Sequence, residues 1–278
     1  MFDMFTQDFI FNALKVSIIM GLLLSYLGVH VVGRGIVFVD LALGQISMLG
    51  VAVANYFEKD PTVISIVFTM VGAFLLSFIK IKDLRLKQEA IIGIVYAVAS
   101  AVTVLFISKA PHGESDISEV LFGSVFTVTT AQIVTMAIVF GIIGITHLIF
   151  RKKFFELTEK FENHEVEDIG LFNLWNFLFY LSIGLSIVVA VRVAGVIPVF
   201  SYLIIPPVSA ILLTRKRSTA VIIALAVSVI GSFFGLYFST HFDFPAGSAV
   251  VAILGGLFLI VAIIRSIKSG LAARRGNF

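Results

Sequence analysis

The sequence predicts an all-α, polytopic integral membrane protein with eight or nine transmembrane helices. Three observations carry that expectation. Hydrophobic residues fill 59% of the 278 positions and charged residues only 13%, whereas soluble chains carry about a quarter charged; mean hydropathy is +1.08. Apolar stretches of about 20 residues, the length that crosses a bilayer's hydrocarbon core, recur along the chain. The basic residues gather in alternate connectors, as the positive-inside rule requires.

Taken in order, the stretches bounded by charge, Gly or Pro are roughly 9–32, 37–56, 61–79, 90–108, 130–150, 172–191, 196–213, 219–239 and 248–265. The seventh is the weakest, because Pro198, Pro206 and Pro207 fall inside it. The opening MFDMFTQDF holds two acids and no base, so the first stretch reads as a retained span, not a removable signal. With the N-terminus outside, sixteen of the 20 Lys and Arg fall on inner segments. These are Arg34, then Lys80 to Lys87, Arg151 to Lys160, Arg215–Arg217, and Arg265 to Arg275. Lys59, Lys109 and Arg192 lie outside and Lys15 sits within the first span. The C-terminus is therefore expected in the cytoplasm, and the chain in a bacterial cytoplasmic membrane.

No Ser/Gly-rich linker, low-complexity run or short repeat interrupts the chain, so residues 1–278 read as a single transmembrane domain. Its largest polar insertion is an inner connector at about 151–171, basic at first and then acidic (EKFENHEVED), with a helical part expected. The polar outer loops are about 109–120 and 239–248.

Composition also limits the chemistry. With no Cys, disulfides, thiolate metal sites and Cys nucleophiles are excluded. No GxxxxGK[ST], HExxH or GxSxG occurs, so the chain is not expected to be an enzyme, nor to bind nucleotide by the usual backbone cradle. The net charge of +3 follows from topology and does not call for nucleic acid. Active transport would draw its energy from another chain or from an ion gradient.

Polar residues inside apolar spans are costly and tend to face a cavity. In GRGIVFVDLALGQISMLGVAVANYF, residues 33–57, Asp40 sits at the inner start of the second span, with Gln45 and Ser47 deeper among small residues. The Asp40 carboxylate is a ligand type for hard or borderline cations; it is equally the type that caps a helix N-terminus. Five residues turn a helix by about 500°, so Asp40 and Gln45 diverge while Asp40 and Ser47 share a face. In VRVAGVIPVFSYLIIPPVSAILLTRKRS, residues 191–218, the prolines fit either backbone broken beside a cavity or a kinked, packed helix. Pro206 and Pro207 running into Arg215–Arg217 make a rigid lever at the inner face. The outer loops carry His112, Glu114, Asp116, Glu119, His241 and Asp243, whose spacing matches no closed metal site. They read as solvated residues, or as a vestibule attracting cations. His30 and His147 near inner span ends, and His164 in the connector, read as interfacial or solvated.

Five segments in order then carry a resemblance: VFVDLALGQISMLGVAVA, QEAIIGIVYAVASAVTVLFIS, LFGSVFTVT, AGVIPVFSYLIIPPVSAILL and FDFPAGSAVVAILGGLFLI. From about Gly33 to Phe258 the chain resembles the membrane permease of zinc/manganese/iron-type ATP-binding-cassette importers. That resemblance implies a homodimer bound to two separate ATPase subunits that use the ATP, fed by an extracytoplasmic solute-binding protein. It implies no cofactor held by this chain, a divalent metal as substrate, and a path lined by Asp40, Gln45 and Ser47. It places Pro206, Pro207, Arg215, Lys216 and Arg217 where motion passes to the ATPase. The family's metal transporters carry an Asp and, four residues on, a His; here Asp40 is followed at that spacing by Gly44. The register set by GVAVA instead places Leu41 and Gln45 at those positions, and an amide oxygen is a weaker zinc ligand than imidazole. A gradient-driven carrier or channel acting alone, a non-metal substrate, and a membrane scaffold remain alternative readings.

Overall fold

A computed structural model describes residues 7–79, 88–108, 125–163, 165 and 172–275. Ten helices account for nearly all of them. They are α1 (Asp8–Gly33), α2 (Val39–Tyr56), α3 (Pro61–Ser77), α4 (Gln88–Ile107), α5 (Thr130–Ile149), α6 (Arg151–Glu162), α7 (Leu174–Ala194), α8 (Val196–Leu213), α9 (Arg217–Phe242) and α10 (Ala246–Arg275). A short 3₁₀ turn, Val125–Thr127, precedes α5, and no strand occurs among the described residues. Eight helices are long and apolar enough to span a membrane; α3, at 17 residues, is the short one. The weak member of the nine is therefore the third. The seventh is an uninterrupted 18-residue helix with both prolines inside it.

Local chemistry sets the helix ends. Asp60 caps α3: its Oδ1 accepts from the N–H groups of Thr62 (2.7 Å) and Val63 (3.0 Å), and Pro61 occupies the first turn, where no donor is needed. Those N–H groups, Val63 first, hold the Asp60 carboxyl below the usual range. Thr129 and Gln132 form a capping box at α5. Asn173 accepts from the N–H of Asn176 to start α7, and Gly195, at φ 83°, ends it and opens α8. The inner connector is helical where expected. In α6, Phe154, Leu157, Thr158 and Phe161 are buried at helical spacing while the charged residues between them face outward.

The spans form two groups joined by α7. In one, α2 lies between α3 and α4; in the other, α1, α8, α9 and α10 pack together, and α5 leans on α1 and α7. Side-chain bonds join helix ends in two separate layers. Arg192, at the end of α7, donates to Thr62 Oγ1 (2.8 Å), Ser65 Oγ (2.7 Å) and Pro61 O (3.3 Å) at the start of α3. At the opposite layer Arg34 meets α6 and α7, Asn176 donates to Ser77 O at the end of α3 (2.8 Å), and Arg217 pairs with Glu159 and Glu162. Arg192 and the Arg34–Arg217 set are the residues that charge counting assigns to opposite faces. The basic run from Lys80 to Lys87, the outer loop 109–120 with its four acidic and His residues, and His164 lie outside the described residues.

Candidate transport site and its buried inner layer

Asp40 is the second residue of α2, one position inside the helix. Phe38 holds the cap position and offers no side-chain bond, while the Asp40 carboxyl lies by the backbone N–H groups of Leu41 and of its own residue in the first turn. The side chain is 3% exposed and its Oδ1 meets no hydrogen-bond partner. Ion pairs among the described residues join Lys153 to Glu156 and Arg217 to Glu159 and Glu162; Asp40 belongs to none. A carboxylate taken out of water with one oxygen unpartnered and no counter-charge among the described residues is costly, and a cation is one partner that would offset the cost. The N-terminal turn of α2 offsets part of it.

Gln45 and Ser47 lie further along the same unbroken helix and are half-buried. None of the three is hydrogen-bonded to another. A β-carbon built on Gly44 would stand 3.7 Å from Ile187 Cγ2, ordinary contact. No group of three or more His, Asp or Glu close enough to hold a metal occurs among the described residues.

The five candidate coupling residues fall into two sets. Pro206 and Pro207 are buried where α8 crosses α1; Arg215 and Lys216 are exposed in the turn before α9. Arg217 is clamped, its two terminal nitrogens reaching Glu159 Oε2 (3.0 Å) and Glu162 Oε2 (2.7 Å) on α6. A cleft of about 350 Å³ opens at this face between Val29, Phe155, Thr158, Thr214 and Arg215. At the outer face a second cleft of about 390 Å³ holds His241 and Asp243 beside Gln7 and Phe126.

The histidine reading needs correction. His30 and His147 are fully buried, neither interfacial nor solvated. Thr158 spends its hydroxyl proton on Phe154 O (2.9 Å), so its oxygen accepts from Arg34 Nε (3.1 Å) and from His30 Nδ1 (2.9 Å). Ser182 donates to Leu178 O (2.7 Å) and so accepts from His147 Nε2 (3.1 Å). Each neutral ring is thereby fixed with its N–H on the bonded nitrogen. Tyr26 closes a triangle of rings, 5.2 Å from His30 and 5.6 Å from His147, and His147 stacks on Phe154 at 3.8 Å. Arg34, 6% exposed, has no carboxylate beside it among the described residues; Asn176 Oδ1 accepts at 3.0 Å and the Phe179 ring lies 3.6 Å from its guanidinium carbon. This layer ties the inner ends of α1, α5, α6 and α7 together. Sequence reasoning counts Arg34 only as a topogenic charge. The signal available was a polar Asn176 and an arginine both bordering apolar spans.

Comparison with known proteins places this arrangement. The manganese transport system membrane protein MntC of Listeria monocytogenes is 29% identical over 266 residues, covering 95% of this chain and 93% of its own length. The chelated iron transport system membrane protein YfeC of Yersinia pestis is 27% identical over 98% of this chain and 91% of its own. Among solved structures, PsaBC from Streptococcus pneumoniae in complex with Fab superposes with a TM-score of 0.75 at 24% identity, over 92% of this chain and 91% of that one, which establishes a shared fold. The sequence profile of the ABC 3 transport family matches residues 6–265, and the chain belongs to that family.

Proposed function

We propose that this chain is the permease subunit of an ATP-binding-cassette importer that moves a divalent metal ion (zinc, manganese or iron) across the cytoplasmic membrane. The single observation that carries the reading, within that family, is the buried Asp40 carboxylate on α2 with an oxygen that no described group partners. Two copies of the chain line the path with Asp40, Gln45 and Ser47, so that each carboxylate finds the rest of the cation's ligands across the dimer. Separate ATPase subunits supply the energy and meet the inner face around Arg215, Lys216 and Arg217, with Pro206 and Pro207 stiffening α8 behind them. A solute-binding protein delivers the ion at the outer face. The relatives' names support the substrate class. Gly44 or, in the other register, Gln45 in place of the family's histidine leaves the coordination oxygen-rich, which favours a harder ion such as manganese over zinc.

The test is uptake of zinc, manganese and iron by the chain copurified and reconstituted with its ATPase. Asp40→Asn keeps the shape and removes the charge; uptake is expected to fall at least tenfold while assembly with the ATPase is retained. Unchanged uptake removes Asp40 from the path. Transport by liposomes holding this chain alone, without ATP, would replace the importer with a gradient-driven carrier. In the same assay, Gly44→His completes the Asp–X₃–His pair and is expected to shift preference toward zinc.

A further inference from the structure

An apolar slot of about 440 Å³ opens on the flank of the bundle between α1, α5 and α9. It runs along α5 from Ala137 to Leu148, with Leu22 and Tyr26 of α1 and Val221 and Leu225 of α9 as walls. At 1.5 Å per residue that length is about 16 Å, close to half of a hydrocarbon core of about 30 Å. Its lower end, at Leu148, is the inner end of α5. The slot therefore spans one leaflet, the inner one. Its length and apolar walls suit a chain of methylenes.

Its mouth is basic. Arg151, Lys152 and Lys153 follow Leu148 within five residues and are exposed at the start of α6. Lys153 is engaged by Glu156 at 3.9 Å, but Arg151 and Lys152 make no ion pair among the described residues. We propose that this slot binds an anionic phospholipid of the inner leaflet, one acyl chain lying along Gly141 and Gly144 and the phosphate meeting Arg151 and Lys152. Apolar length matched to a leaflet and cations placed where the headgroup must sit are the two halves of one ligand. The glycines keep the slot open: a β-carbon at Gly141 meets nothing within 4 Å, and one at Gly144 meets only Leu23 Cδ1 at 4.0 Å.

The experiment is native mass spectrometry of the purified full-length chain with phosphatidylglycerol or phosphatidylcholine of identical acyl chains. Phosphatidylglycerol is expected to be retained selectively. Arg151→Ala/Lys152→Ala should lower its retention roughly tenfold or more, to the phosphatidylcholine level. Gly141→Leu/Gly144→Leu fills the slot from an uncrowded position and should lower retention of both lipids. Equal retention of the two lipids by the wild type, or unchanged retention in the leucine variant, overturns the proposal. Because the chain has no Cys, Gly144→Cys adds a single thiol; a disulfide-linked dimer in membranes would show a second copy at the slot and would equally overturn it.

Discussion

A proline pair inside α8 leaves two carbonyls without their helical donors, and α1 receives both. Pro206 cannot bond Tyr202 O, and the Ser25 hydroxyl donates to that oxygen instead at 3.2 Å. Pro207 cannot bond Leu203 O, which presses against Gly28 so closely that a β-carbon there would lie 1.9 Å from it and 2.6 Å from Pro207 Cγ. Unpaired carbonyls at membrane depth are tolerated only when protein covers them, which explains why α8 stays whole. Gly28→Ala is expected to drive the two helices apart and cost about 3 kcal/mol, read as a lower unfolding temperature of the purified protein. Ser25→Ala leaves one carbonyl bare and should cost about 1–2 kcal/mol. At this scale the sequence displays half of each interaction. Pro206, Pro207 and Asp40 stand out against apolar neighbours, but nothing near them in the chain names Ser25 or Gly28, which lie 177 or more residues away in the first case and read as ordinary span residues.

The elements differ in what holds them. The spans need only length and apolarity, so most of their limits are legible to within a few residues: α1 at 8–33 against 9–32, α7 at 174–194 against 172–191; α10, at 246–275 against 248–265, runs ten residues further because its polar C-terminal end continues the helix. The docking of α6 depends on Thr158, which serves His30 and Arg34 at once across 128 and 124 residues, and no periodicity reveals such a junction. Thr158→Val leaves two buried donors without an acceptor, a cost of about 1–3 kcal/mol each. Faster amide hydrogen exchange in 151–162, with the spans unchanged, is the expected signature. The short α3 leans instead on its cap. Because backbone donors lower the folded carboxyl value of Asp60, its contribution is complete above the ordinary carboxylate range and is lost as pH falls through the lowered value. Protection of the Thr62 and Val63 amides should therefore fall on acidification, and Asp60→Asn should make it independent of pH.

At the scale of the whole molecule, two polar layers stand at opposite ends of an apolar bundle, and they are chemically unlike. The layer around Arg192 is partly exposed and uses one arginine across a single helix pair, α3 and α7. The opposite layer buries Arg34, His30 and His147 and adds the clamp from Arg217 to α6, joining five helices. An end built that firmly ties α6, the α8–α9 turn and the spans into one unit, as the proposed coupling to an ATPase requires. The sidedness follows from positive charge alone, so it can be checked without reference to transport. Lys59 and Ser218 are both exposed, at the ends that charge counting assigns to the outside and the inside. Lys59→Cys and Ser218→Cys each introduce the chain's single thiol. A membrane-impermeant maleimide should label Lys59→Cys in right-side-out vesicles and Ser218→Cys in inverted ones. The reverse pattern would turn the bundle over and put the Arg217 clamp beyond reach of any cytoplasmic ATPase; labelling of both from one side would mean that the chain between them, α3 to α8, crosses the membrane an even number of times and not the five that the nine-span fold requires.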